Sequence, residues 1–147
     1  MSLDELYQEV ILDHFKHPRC HGCPENADSD VTLNNPLCGD VVQVGVQIDD
    51  QTVKEVGFSG SGCAISQASA SIMTELVKGK SRAEIQELAD KFQAMMRGEI
   101  APEELVELGD AVVLEGVRKF SARVKCAVLA WEALQKCLEL SKDASDQ

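Results

Sequence analysis

Residues 41–58 read VVQVGVQIDDQTVKEVGF. Val42, Val44, Val46 and Ile48 alternate with Gln43, Gly45 and Gln47, the period-two pattern of a strand buried on one face. Asp49 to Gln51 turn the chain into a second strand, Thr52 to Phe58. Its apolar positions alternate less cleanly, which leaves its register open. Hairpin logic adds an earlier strand around Val31 to Asn35, and connections this short require antiparallel pairing.

Outward from this hairpin the periodicity changes to that of helices. Leu3, Leu6, Tyr7, Val10, Ile11 and His14 share one helical face that ends near Pro18, and Ser2 with Glu5 forms a candidate capping box. On that apolar side His14 reads as a core or partner-face residue. Arg19 to Asp30 is rich in turn formers and reads as a loop. After the hairpin, SGSGC (59–63) leads into a helix from Ala64 to Lys78 that Gly79 stops, so Cys63 falls at a helix N-terminus. Ser81 and Glu84 cap a further helix running to about Arg97, with Gly98 ending it. Pro102 opens a short helix through Leu108. Val117, Phe120, Val124, Ala127, Trp131, Leu134 and Leu138 then outline a long final helix, with Cys126 in its first turns if Ser121 is the cap. Helix, strands, then helices define an α+β class.

At 147 residues, 44% hydrophobic and 27% charged, the chain fits one domain, 1–147, with a substantial core. The N-terminus carries acids early and has no unbroken apolar run, so neither a signal peptide nor a membrane span is expected, and the expected location is cytoplasmic. A net charge of −11 argues against nucleic-acid binding, which draws on clustered Lys and Arg.

Six cysteines, at 20, 23, 38, 63, 126 and 137, suggest metal or sulfur chemistry rather than disulfides in a chain that needs no such staples. Three of them sit where the backbone changes character: Cys38 in a Pro/Gly-punctuated loop, Cys63 at a strand-to-helix junction, and Cys126 near a helix start. Asp40, separated from Cys38 only by Gly39, can complete a tetrahedral zinc set of Cys38, Asp40, Cys63 and Cys126. The helix N-terminus at Cys63, with Arg123 and Lys125, favours thiolates and offsets four anionic ligands. On spacing alone the alternative is equally open: cysteine is often simply buried as a small apolar group, and Asp40 can be a turn acid. Glycines before a helix can also cradle phosphate, but no Gly-Lys-Ser/Thr follows. Cys137 lies eleven residues after Cys126, about 16 Å along a helix, too far to share an ion. Cys20 and Cys23, in HPRCHGCPE with His14, His17 and His21 nearby, fit a solvated loop, a local metal site or a sulfur relay. A redox C-x-x-C would enter a helix from a strand, which this one does not.

NPLCGD (35–40), GSGCAISQASAS (60–71) and RVKCAVLAW (123–131) resemble the three metal-site segments of the U-type iron–sulfur cluster assembly proteins, IscU and SufU. The likeness extends over nearly the whole chain, including the first helix ending in DHFKHPR. Two departures from the IscU pattern are similar to SufU. There is no Leu-Pro-Pro-Val-Lys chaperone motif and Lys125 replaces a histidine before the third cysteine; the 63-residue step from Cys63 to Cys126 is also long and includes a Glu-rich stretch from Pro102 to Glu115. The RCHGC loop matches neither pattern.

The resemblance implies a small, about three-stranded antiparallel sheet with helices on one face and a zinc site at one end. It implies a cysteine desulfurase (SufS/IscS-like) as sulfur donor and iron–sulfur acceptor or scaffold proteins downstream. Cys38, on its loop, is then the expected sulfur acceptor, freed when a desulfurase ligand takes its place on zinc, while Arg123 assists by position or charge. Two further readings use the same residues. In one, iron or a transient [2Fe-2S]-type cluster is assembled on Cys38, Cys63 and Cys126; in the other, zinc only supports the fold.

Overall fold

A computed structural model describes residues 3–36 and 39–145, apart from the side chains of 3, 4 and 142–145. Helix α1 (Leu3–Lys16) is followed by strands β1 (Ser29–Asn35), β2 (Asp40–Asp49) and β3 (Thr52–Ser61). Helices α2 (Ala64–Val77) and α3 (Arg82–Arg97), a 3₁₀ segment (Pro102–Lys119) and helix α4 (Ser121–Ser145) complete the chain.

The three strands form one antiparallel sheet in sequence order. Val42, Val44 and Val46 are fully buried on the face covered by helices, where α4 lies across β1 and β2 and α2 packs on β3. The uneven alternation of β3 has a specific cause. Register shifts at Gln47/Ile48, so Gln47 pairs with Glu55 but Ile48 with Val53. The bulge absorbs one residue and lets Val53 and Val56, three positions apart, both face the core. Under the sheet, Phe92 of α3 stacks on Trp131 of α4 at 4.7 Å, and both rings are fully buried.

The capping box at Ser81 and Glu84 is present, and Gly98 ends α3 in the left-handed conformation. The other proposed box involves Ser2, which lies outside the described residues. Two expectations are corrected. β3 runs through Ser59, Gly60 and Ser61, pairing with Val41, Val42 and Gln43, where the glycines and serines suggested a linker. The residues after Pro102 form a 3₁₀ run to Lys119 broken at Gly109 (φ 53°, ψ −130°), so Val117 and Phe120 precede the last helix. Buried Leu108, Ala111, Leu114 and Val117 follow the three-residue turn of that segment rather than an α-helical period.

The Arg19–Asp30 loop is more than a solvated connection. Gly22 N–H donates to Phe58 O at 2.6 Å and Phe58 N–H donates to Cys20 O at 3.1 Å, which covers the outer edge of β3. The Cys23 side chain then folds over Gly45, where an added Cβ would meet the Cys23 Cβ at 3.0 Å. Among the described residues no helix is long and apolar enough to cross a membrane.

Candidate metal centre

One end of the sheet gathers the beginning of β2, the end of β3 and the first turns of α2 and α4. Asp40 opens β2 opposite Asn35, the last residue of β1. Cys63 follows β3 and is the N-cap of α2, where its Sγ accepts from Ser66 N–H at 3.5 Å. Cys126 is buried in the second turn of α4. Asp40 Oδ, Cys63 Sγ and Cys126 Sγ all lie within 4.8 Å of one another.

Asp40 is the hub. Its side chain is fully buried, its Oδ1 accepts from Cys63 N–H at 2.8 Å, and its Oδ2 lies 3.5 Å from Cys63 Sγ. Burial pushes its carboxyl pKa up, but hydrogen bonds from the Cys126 thiol and from the Cys63 backbone and thiol, with the charge of Arg123, outweigh this and hold it below the ordinary value. The hub depends on Gly62 (φ +140°), where any Cβ would overlap Asp40 Oδ1.

These donors fit a tetrahedral cation. Zinc bonds of about 2.3 Å to sulfur and about 2.0 Å to oxygen put the two donor atoms roughly 3.5 Å apart at the tetrahedral angle, the observed Cys63 Sγ to Asp40 Oδ2 separation. A buried carboxylate beside two ionised sulfurs would be costly without a positive charge among them. Cys38 lies outside the described residues. It precedes Asp40 by two positions in the sequence.

Arg123 is the cation whose charge reaches Asp40, whereas exposed Lys125 lines a cleft with Asn34, Asn35, Pro36, Leu129 and Glu132. Asn35 carries no metal-ligand signature in the sequence, yet it is buried and its Nδ2 points at Cys126 Sγ, 3.8 Å away. Its only sequence clue is its place before Pro36 in the cysteine loop. Cys137 is fully buried and its Sγ donates to Val44 O at 3.1 Å, while burial pushes its thiol up to about 11. Burial likewise raises the Cys23 thiol, which packs on the sheet rather than joining a metal-ligand cluster among the described residues.

A model of the NifU-like N terminal domain matches residues 6–127. Over 143 residues the chain is 44% identical to the iron-sulfur cluster assembly scaffold protein IscU of Streptococcus pyogenes serotype M1, covering 97% of this chain and 89% of that one. It is also 44% identical, over 135 residues, to the zinc-dependent sulfurtransferase SufU of Bacillus subtilis, covering 92% and 90% of the two chains. The solved N-terminal part of a nitrogen-fixing NifU-like protein from Brucella abortus superposes with a TM-score of 0.85 at 27% identity, covering 96% of this chain and 97% of that one. Three cysteine-bearing segments in family order, a fold shared with a solved relative and a match across most of its length show that the chain belongs to the NifU-like N terminal domain family, among the IscU and SufU proteins.

Proposed function

We propose that this protein accepts sulfur from a cysteine desulfurase during iron–sulfur cluster assembly, with zinc held by Cys38, Asp40, Cys63 and Cys126. The observation that carries the proposal is the convergence of Asp40, Cys63 and Cys126 within 4.8 Å of one another, with the Cys63–Asp40 pair at the tetrahedral separation of 3.5 Å and Cys38 two positions along the chain. Lys125 in place of a histidine and the long step between Cys63 and Cys126 favour the sulfurtransferase side of the family over the scaffold side.

Each residue has a distinct task. Cys63 and Cys126 are fixed by helices, so they serve as anchors. Asp40 holds Cys63 by accepting from its backbone N–H and from its thiol, and the charge of Arg123 favours the Asp40 carboxylate. Bound zinc would hold the thiols as thiolates and shield them from oxidation. Cys38 is the acceptor. Its thiolate attacks the terminal sulfur of the donor persulfide, a new sulfur–sulfur bond forms on Cys38, the donor's own bond breaks, and the desulfurase cysteine leaves as thiolate. An apolar groove of about 470 Å³, lined in part by Leu12, Ile65, Val117 and Phe120, opens two residues from Cys63 and suits a protein donor. Unbridged cysteines among the described residues agree with work in the reducing cytoplasm.

The test is persulfide formation with a desulfurase and free cysteine, read by mass spectrometry. Cys38→Ala is expected to abolish the gain of one sulfur and Lys125→Ala to retain it; normal loading of the Cys38→Ala protein overturns the assignment. A stable visible chromophore after reconstitution, transferable to an apo-ferredoxin, would favour the scaffold named for the Streptococcus relative. Zinc as a purely structural element predicts loss of fold on chelation. The extensive core around Val44, Phe92 and Trp131 predicts instead that circular dichroism retains its helical signal.

A further inference from the structure

Apart from the thiols, a second group of donors converges where α1, α2 and the 3₁₀ segment meet. His14, Glu75 and Asp110 each offer an atom within 4.8 Å of the others. We propose that these three side chains form a thiol-free site for a first-row divalent cation such as Mn²⁺, Fe²⁺ or Zn²⁺.

His14 points to a ligand. Its side chain is only 2% exposed, yet it lines an open cleft of about 440 Å³ together with Asp13, Arg19 and Asp110. Nδ1 lies 2.8 Å from Ser71 Oγ, and the same oxygen accepts Arg19 N–H at 2.8 Å. The ring is thereby anchored through one nitrogen, as metal-bound imidazoles usually are by a neighbouring group. Nε2 stands 3.9 Å from Asp110 Oδ2, too far for a hydrogen bond. Two donors of one ion, each at about 2.1 Å, lie roughly 3.4 Å apart at the tetrahedral angle, so a shift of about half an ångström by exposed Asp110 brings this pair to the spacing of a shared ion. Burial lowers the His14 pKa, with the charge of Arg19 acting the same way against Glu75, Asp110 and Asp13. The neutral imidazole that metals require is therefore the favoured form.

The charges agree. Arg19 is committed to Asp13 at 2.6 Å, and its Nε is a more distant 3.6 Å from Glu75. One guanidinium thus faces three carboxylates and a neutral ring, leaving two negative charges for a divalent ion to neutralise. Glu75 and Asp110 are 53% and 62% exposed, so packing does not fix their carboxylates in place. One imidazole with two carboxylates and no thiolate favours hard to borderline ions over soft Cu⁺.

The test titrates the purified protein with Mn²⁺ and follows loss of the free-ion signal by electron paramagnetic resonance, since Mn²⁺ prefers imidazole and carboxylate to thiolate. One ion per chain is expected. Glu75→Gln and Asp110→Asn, both at exposed positions the fold tolerates, are each expected to weaken binding at least tenfold. Glu132→Gln, on α4 away from the contributing elements, controls for attraction to the acidic surface and is expected to bind as wild type. Cys63→Ser is likewise expected to retain Mn²⁺ affinity, so failure at the thiol centre and failure here give different results. Absence of stoichiometric binding, unchanged affinity in the Glu75 and Asp110 variants, or loss of binding in Cys63→Ser or Glu132→Gln overturns the proposal.

Discussion

Replacing Gly62 with alanine should strike the thiol centre without removing a ligand. Gly62 has φ +140°, and its missing Cβ leaves the space that Asp40 Oδ1 occupies. A side chain in such a backbone region costs about 1–3 kcal/mol. The Cβ also forces Asp40 away from Cys63 N–H, a 2.8 Å contact to a carboxylate held in its charged form. Losing a hydrogen bond to a charged group costs about 1.5–3 kcal/mol more. The sum is about 2.5–6 kcal/mol, which for a chain of this size lowers Tm by roughly 6 to 20 °C. Calorimetric melting of the chelator-treated protein reads this directly, and a zinc competition titration reads the accompanying loss of affinity. Gly116→Ala is the matched control, because nothing lies within 4 Å of its Cβ position. A Gly62→Ala protein melting within about 2 °C of wild type, with unchanged zinc affinity, would refute the idea that close backbone approach builds the site.

Two other predictions concern buried titratable groups. Because burial lowers the His14 pKa, the unfolded chain binds a proton first as pH falls. The stability contributed by neutral His14 should be complete well above about pH 6.5 and be lost as pH falls through the folded-state value. Melting from pH 8 to 5 should show this slope in wild type and lack it in His14→Gln; identical slopes would contradict it. Cys137, with its thiol pushed up to about 11, should resist alkylation at pH 8 in the native, metal-free protein while half-exposed Cys20 reacts. About one Cys137 thiol in a thousand is ionised at that pH, so peptide mapping that finds it labelled as fast as Cys20 would refute its assignment to the core.

The hairpin was legible because β2 keeps a strict period of two and one face of it is buried. Helix starts were legible where short side chains cap them, as at Ser81. Features created by partners far along the chain were not. The bulge opposite Ile48 depends on strand pairing, and Ser59 to Ser61 form a strand because β2 supplies their hydrogen-bond partners, overriding a composition suited to turns. The turn from Pro102 to Lys119 is tighter than an α-helix, so its apolar residues recur every three positions and not at the 3.6-residue period. At the centre, cysteine placement and the family motifs pointed to Cys63, Cys126 and Asp40. Asn35 stayed hidden because an amide has no ligand signature, and its proximity to Cys126 spans 91 positions of chain.

In the proposed centre three sulfurs and the Asp40 oxygen share one zinc. X-ray absorption at the zinc edge counts those neighbours directly in the purified protein. Three sulfurs at about 2.3 Å and one oxygen at about 2.0 Å are expected, with one sulfur fewer in Cys38→Ser. A wild-type shell with fewer than three sulfurs, or one showing imidazole scattering, would contradict it.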